Sequence, residues 1–378
     1  MNFIETFRAE VKTIFTDIAI VLTIIGGVIL YSFLYPQPYS SQSVSSLPVS
    51  VVDLDRSDKS REIIFNLNAT PQIDVLRVDG SEKDAKDALL QEKVKAIVVI
   101  PPHFKRDLAL HKTPTIAVGA DSSYFLIYGG VLEGAMKSVL TEVATIKVAE
   151  LLKSATPISG AKVSYTPYSL NVINLFNPQN SYTQYVIPAV FIIILQQTML
   201  IGLGILGGGV NERKEKRGDT WMVMLSRVLI FGTIFFTHTL FYFGFSFEFF
   251  GVTHLASIYD LMAFTLPFIL ASAFFGIFLG SLFNSREIAT PVVLFSSLPL
   301  VFSAGFVWPL EAVPEFLVIL SNLVPSTPAI NGFLKLNQMG AEFSMVLPQY
   351  TTLWIQAVIY MFLGYYFINK KRKKYGNN

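Results

Sequence analysis

The chain has 378 residues, of which 52% are hydrophobic and 15% are charged, and its formal net charge is +2. Because soluble domains carry about a quarter charged residues, this composition disfavours a disordered protein, a coiled coil or an ordinary soluble enzyme and is typical of a membrane protein. The small net charge argues against nucleic-acid binding, and a chain without Cys has no disulfide or thiolate site.

Residues 1–17 combine apolar residues at helical spacing with two bases, Arg8 and Lys12. This pattern predicts a cytoplasmic amphipathic helix in the membrane interface, although a frayed extension of the first span would also account for it. The apolar positions are Ile4, Phe7, Val11, Ile14, Phe15 and Ile18. No A-x-A cleavage site follows the first apolar run, so we expect a retained anchor and not a signal peptide.

Six segments are long and apolar enough to cross a bilayer. A span needs about 20 mainly apolar residues, because a helix rises about 1.5 Å per residue across about 30 Å of hydrocarbon. We expect spans at about 18–35, 184–207, 225–247, 260–283, 288–308 and 350–369. The predicted fold is a polytopic α-helical membrane protein with six transmembrane helices and a small α/β domain inserted after the first.

Residues 36–182 form the inserted domain, whose balanced charges are typical of a soluble fold. Segments rich in β-branched residues alternate with helical patterns, which predicts a small α/β sheet. A long helix at about 122–154 leads away from the sheet, and residues 163–182 return to the membrane. The expected strands lie at 48–55, 73–79, 95–101 and 113–121.

Two groups of side chains in this domain have the residue types of metal ligands. Asp53, Asp55 and Asp58 lack the Gly and distal Glu of an EF-hand, so a solvated turn that caps the next helix is the favoured interpretation. His103 and His111 have no third ligand nearby. We therefore predict no metal site.

The distribution of Lys and Arg sets the orientation of the spans, because positive residues are retained on the cytoplasmic side. With the N-terminus inside, the cytoplasmic segments collect Arg8, Lys12, Arg227, Arg286, the bases of 211–221 and the basic tail 370–378, whereas the two short outer loops hold only Lys335. Both termini are therefore expected in the cytoplasm, and residues 36–182 outside it.

No G-x-x-x-x-G-K-[ST], G-x-S-x-G or H-E-x-x-H motif occurs, so we predict no catalytic, cofactor-binding or metal-binding residue. The interiors of the five later spans also lack the carboxylates that ion-driven transport usually uses, which leaves a partner protein as the favoured energy source and an ion gradient as the alternative. Gly276 and Gly280 form a G-x-x-x-G pattern that predicts close packing of spans, within the chain or in a dimer.

The loop between the second and third predicted spans, 211–221, is rich in charge. Glu212 and Lys216 have i,i+4 spacing, which predicts a short amphipathic helix that ends at Gly218. An ordinary positive loop on the cytoplasmic side would have the same charge.

The segment from Ser303 to Pro328 contains a Gly-Phe pair followed by several Pro residues, and it predicts a helix of about 15 residues between two of them. That helix is too short to cross the bilayer, so residues 309–340 are expected to be re-entrant or interfacial. The residues that define this segment are Gly305, Phe306, Pro309, Pro314 and Pro325.

This segment is similar to the Gly-Phe-x-x-Pro segment of type-2 ABC exporter permeases, and Asn177-Pro178 is similar to their Asn-Pro before the second span. The whole chain resembles the subgroup with a large extracytoplasmic domain between the first two spans. The resemblance implies a bacterial inner-membrane permease that exports amphiphilic substrates as a half-transporter, paired with a second copy or a paralogue. It leaves a membrane receptor or assembly scaffold as the alternative, with a secondary transporter third.

The same resemblance implies that residues 1–17 and the 211–221 loop dock on a separate ABC ATPase, which would bind ATP and Mg²⁺. It also implies partners in the cell envelope, namely a periplasmic adaptor protein and an outer-membrane channel. The loop residues assigned to coupling are Glu212, Arg213, Lys214, Glu215, Lys216, Arg217 and Gly218.

Overall fold

The computed structural model describes residues 2–39, 45–110, 112–120, 125–153, 176–177, 181–215, 218–308 and 310–376. The chain divides into two compact units, one formed by Met1–Gln42 with Asn174–Asn378 and the other by Ser43–Ile173. Several residues named above therefore lie outside the described residues: His111, Lys216, Arg217, Pro309 and most of 163–182.

The first unit begins with two helices, α1 (Phe3–Thr16) and α2 (Ile18–Leu34), which meet at a bend of 78°. Asn2 and Glu5 form a capping box at the start of α1. Asp17 then caps α2, because its carboxylate accepts hydrogen bonds from the first free amides of that helix. The amphipathic segment is thus a helix of its own and not an extension of the first span.

A π-helical segment, Leu22–Gly27, interrupts α2. Such a segment shifts the i→i−4 hydrogen-bond pattern, so other groups bind the carbonyls nearby. His238 Nε2 lies 2.8 Å from the Ile24 carbonyl oxygen, and the buried Tyr242 hydroxyl donates to the Val28 carbonyl at 2.7 Å. Both side chains come from a helix more than 200 residues later in the chain.

The described part of the second unit contains a four-stranded sheet of order β2-β1-β3-β4. The central strand β1 is parallel to β2 and β3, and β4 is antiparallel to β3. Its elements, in chain order, are β1 (Leu47–Asp53), α3 (Asp58–Asn68), β2 (Ile73–Asp79), α4 (Glu82–Leu90), β3 (Ala96–Ile100), α5 (Phe104–Ala109), β4 (Ala117–Ala120) and α6 (Phe125–Lys153). The alternation of strands and helices was predicted in this order.

The acidic residues after β1 form a turn. The Asp53 carboxylate accepts hydrogen bonds from the Asp55 and Arg56 amides and from the Ser60 hydroxyl, which ties the end of β1 to the start of α3. Across the part of the chain that the structure describes, no group of three or more His, Asp or Glu side chains could hold a metal ion.

The first unit resumes with seven helices among the described residues, and the last of them carries the basic tail. In chain order they are α7 (Tyr182–Glu212), α8 (Thr220–Phe250), α9 (Ile258–Leu282), α10 (Ala289–Ser303), α11 (Glu315–Ser321), α12 (Ser326–Gln338) and α13 (Leu347–Gly376). Four of these are long and apolar enough to cross a membrane, and up to six spans result if α1–α2 and α11–α12 each count as one.

Helix α10 is shorter than the span predicted at 288–308. Its 15 residues rise about 22 Å, less than the hydrocarbon thickness of about 30 Å. The chain leaves the helix at Gly305, whose φ of +88° favours glycine, and a Cβ there would lie 2.7 Å from the Leu310 side chain. Phe306 is buried directly after this turn.

The following segment is sharply bent, with 93° between α11 and α12. The helix of about 15 residues expected between Pro309 and Pro325 is wrong, because α11 has seven residues and begins only after Pro314. Pro314 has no amide proton, so a helix cannot continue through it from the preceding short turn without losing hydrogen bonds. Gln356 and Tyr360 of α13 donate to the Asn322 and Leu323 carbonyls and hold the turn in place.

Helix α7 lies at the centre of the helical unit, and every residue from 186 to 209 is buried. Gly276 and Gly280 of α9 face α7: a Cβ on Gly280 would lie 2.6 Å from the Leu203 carbonyl oxygen, and one on Gly207 would lie 2.6 Å from the Gly280 backbone. The G-x-x-x-G pattern therefore brings two helices of the same chain into backbone contact.

Candidate coupling site

The charged segment predicted to be a separate helix begins inside α7, which extends to Glu212. The helix then ends in a Schellman motif, in which the Glu215 amide donates to the Val210 carbonyl and the Lys214 amide to the Asn211 carbonyl. Lys214 adopts φ of +51°, the left-handed conformation that glycine usually supplies. The described residues 213–215 and 218–219 form no helix, so the amphipathic helix predicted at 211–221 is wrong there.

Helix α8 begins at Thr220 with Asp219 as its N-cap, five residues earlier than the predicted span. Asp219 Oδ1 accepts a hydrogen bond from the Trp221 amide at 2.9 Å, and Oδ2 lies 3.3 Å from the Arg372 guanidinium. The Trp221 amide and the Arg372 side chain together hold the pKa of the Asp219 carboxyl below its ordinary value, against the opposing effect of partial burial.

The loop between α7 and α8 approaches helix α1. A Cβ on Gly218 would lie 3.2 Å from Thr6 Oγ1, so the absence of a side chain allows this close approach. Gly218 was expected to end a helix; instead it precedes the N-cap of one and packs beside another. In the sequence analysis, only the family resemblance linked α1 to the α7–α8 loop, since it implied that both dock on the same ATPase.

A buried ion pair attaches α1 to α8. Glu10 Oε2 lies 2.9 Å from Arg227 Nε, with side chains only 2% and 5% exposed. The face of α1 that packs inward thus carries Thr6, Glu10 and Ile14, whereas Ile4 and Phe15 are exposed. Arg227, counted among the cytoplasmic bases at the start of the span predicted from about 225, lies within α8, where Glu10 compensates its charge.

A second set of polar contacts connects the end of α2 nearest α1 with the end of α7. Arg286, in the connection between α9 and α10, pairs with Asp17 at 3.0 Å through its guanidinium. Its backbone amide donates to Glu212 Oε2 at 3.2 Å. The Asn211 amide group donates to the Gly280, Ser281 and Phe283 carbonyls at the end of α9.

These contacts leave a charged surface on the same end of the helical unit. Glu212, Arg213 and Lys214 are exposed, and Arg213 pairs with Glu215 at 2.5 Å. These four residues were predicted from the sequence, whereas Glu10, Asp17 and Arg286 were missed. Only Glu10 carried a signal, an acid spaced i,i+4 with Thr6 and Ile14 in an otherwise amphipathic helix.

The apolar helices and the bent helix pairs define a multi-pass membrane protein. A family model described as "ABC-2 family transporter protein" matches residues 18–366, and the chain therefore belongs to this family. It is also similar to the Inner membrane transport permease YhhJ of Escherichia coli (strain K12) and to that of Shigella flexneri. Each is 23% identical over 326 residues, covering 82% of both chains.

Family membership confirms the coarser part of the sequence interpretation, a transport permease in a membrane. It implies an ABC ATPase as a partner, and it indicates a transport subunit without catalysis of its own. It does not favour the alternative of a receptor or scaffold.

Proposed function

We propose that this chain is the permease subunit of an ATP-driven exporter in the bacterial inner membrane. Two copies, or one copy and a paralogue, pair as half-transporters and move amphiphilic substrates outward. A separate ATPase binds ATP and Mg²⁺ and docks on α1 and on the α7–α8 loop. The α/β unit lies outside the cytoplasm, where it docks a periplasmic adaptor protein or gates the exit, and an outer-membrane channel completes the pathway.

The observation that carries this proposal is the set of hydrogen bonds and ion pairs that joins the helix ends at the charged end of the helical unit. Glu212, Arg213 and Lys214 are exposed, and Glu212 accepts a hydrogen bond from the Arg286 amide of the α9–α10 connection. Arg286 also pairs with Asp17 at the start of α2. Gly218 of the loop packs beside Thr6 of α1, and α1 is tied to α8 by the Glu10–Arg227 ion pair. A force on the loop would therefore reach several helices at once. Closure of an ATPase dimer is the kind of rigid-body movement that such a connection would transmit.

Two further features support the other parts of the proposal. The excess of Lys and Arg at the loop and the C-terminal tail favours a cytoplasmic position for this end. The four long helices are almost free of charge in their central turns, which favours amphiphiles over ions as substrates. The adaptor and the channel rest on the resemblance to related exporters.

The test is to co-express the permease with its ATPase and to measure how strongly the permease stimulates ATP hydrolysis. Glu212→Ala and Arg213→Ala are expected to lose most of the stimulation while the complex still co-purifies. Glu287→Ala is the matched control, because Glu287 is exposed in the neighbouring α9–α10 connection but lies outside the loop. Normal stimulation of ATP hydrolysis by both loop variants in an intact complex would contradict the coupling assignment.

A further inference from the structure

A cavity of about 660 Å³ opens between α7, α9, α10 and the segment that leads into α11. Its volume lies within the range of about 300 to 1,000 Å³ that is usual for ligand pockets. Leu200, Phe275 and Leu279 of α7 and α9 line it, together with Trp308, Pro314 and Leu317 from the segment around the start of α11. The segment that contains α11 thus contributes part of the apolar lining of this cavity.

The described lining residues offer few polar groups to a ligand. None of them is charged, and the polar side chains are Ser296, Ser303, Ser321 and, through its indole N–H, Trp308. Each of these hydroxyls already donates to a backbone carbonyl three or four residues earlier: Ser296 to Val293 at 2.7 Å, Ser303 to Pro299 at 2.7 Å and Ser321 to Val318 at 3.0 Å. Water needs two to four polar partners, so this cavity is unsuited to water.

Bilayer hydrocarbon surrounds the spans of a multi-pass membrane protein, so it is the material available to fill an apolar cavity between them. An unfilled cavity of this size would forfeit the dispersion contacts of its lining. We propose that one acyl chain of a bilayer phospholipid occupies this cavity and supports the re-entrant segment. The absence of charge in the lining leaves the lipid headgroup outside. This site does not depend on the proposed transport function.

Trp308 allows a direct test, because it lines the cavity and only two other Trp residues occur, Trp221 and Trp354. Both are replaced by Phe, and the protein is placed in phosphatidylcholine vesicles with or without brominated acyl chains, which quench nearby indoles. Ser296→Phe fills the cavity from α10. Ser297→Phe is the matched control, since Ser297 is the next residue of the same helix, is equally half-buried and does not line the cavity.

Trp308 is 56% exposed, so surrounding lipid contributes to its quenching; we expect Ser296→Phe to lose the part that comes from the cavity and Ser297→Phe to retain all of it. Ala312→Phe fills the cavity from outside the helices and is expected to act like Ser296→Phe, which guards against misfolding of one variant. Native mass spectrometry should show one tightly held phospholipid fewer on both filled variants. Equal quenching and lipid retention in all three variants would overturn the proposal. So would an unquenched Trp308 in the parent, as expected if a second protein copy covers the cavity.

Discussion

Glu10 of α1 and Arg227 of α8 form an ion pair between residues 217 positions apart, and both side chains are buried. Burying two charges is costly, and their mutual attraction repays this cost only when the geometry is good. The pair therefore contributes little net stability, and its main effect is to determine where α1 packs. It thereby helps to fix the position of this short helix along α8.

Removing one partner of this pair is expected to be strongly destabilising. Glu10→Gln leaves the Arg227 charge buried without its counter-charge, which costs about 3 to 5 kcal/mol. The measurement is unfolding in mixed micelles titrated with sodium dodecyl sulfate. Glu215→Gln is the control, because its pair with Arg213 is exposed and such pairs contribute less than about 1 kcal/mol. Equal losses in the two variants would contradict a special role for Glu10.

A second prediction concerns the close contact between α7 and α9. Gly280→Ala places a methyl group against the Leu203 carbonyl and forces the helices apart, at a cost of about 1 to 3 kcal/mol in the same assay. Gly232→Ala in α8 should be neutral or stabilising by up to about 1 kcal/mol, because its new Cβ meets the Ile269 side chain at an ordinary 3.9 Å. A stable Gly280→Ala protein would show that this contact can relax.

A third prediction concerns the hydrogen bond from Tyr242 to the π-helical region of α2. Tyr242→Phe removes the donor and leaves the buried Val28 carbonyl without it, which is expected to cost about 1 to 3 kcal/mol. Tyr31→Phe is a suitable comparison, since Tyr31 lies in α2 and is exposed. Hydrogen exchange of the amides in 22–28 should increase in Tyr242→Phe and stay unchanged in Tyr31→Phe.

A pH dependence follows from the Asp219 cap. Its pKa in the folded protein lies below the ordinary 3.8, because the Trp221 amide and Arg372 favour the carboxylate. The stabilisation is therefore complete above pH 3.8 and disappears as the pH falls through the lower, folded value. The melting temperature should fall more between neutral pH and pH 3 in the parent protein than in Asp219→Asn. Parallel curves would contradict this assignment.

The long apolar helices could be predicted from sequence because a run of about 20 apolar residues without charge is typical of a membrane span and rare elsewhere. The start of α8 at Thr220 could not be predicted, since Arg227 was counted among the cytoplasmic bases and its partner Glu10 is distant in the chain. The end of α7 was missed for a local reason. The left-handed position is occupied by Lys214, so the glycine that usually marks a helix end is absent.

In the segment from Pro314 to Gln338, the sequence predicted one feature correctly and another incorrectly. Pro314 and Pro325 indicated that no continuous span forms there, and both directly precede helices. The length of α11 was overestimated because the helix was placed between Pro309 and Pro325. Leu310–Ala312 instead form a separate short turn, and α11 begins only after Pro314.

The enclosure of α7 has a mechanical consequence. A helix in contact with lipid can tilt at little cost, because the fluid around it yields. Residues 186–209 have protein on every side, and protein interiors are as incompressible as molecular crystals. When the loop after Glu212 is displaced, α7 therefore cannot move alone, and the helices packed against it have to move with it.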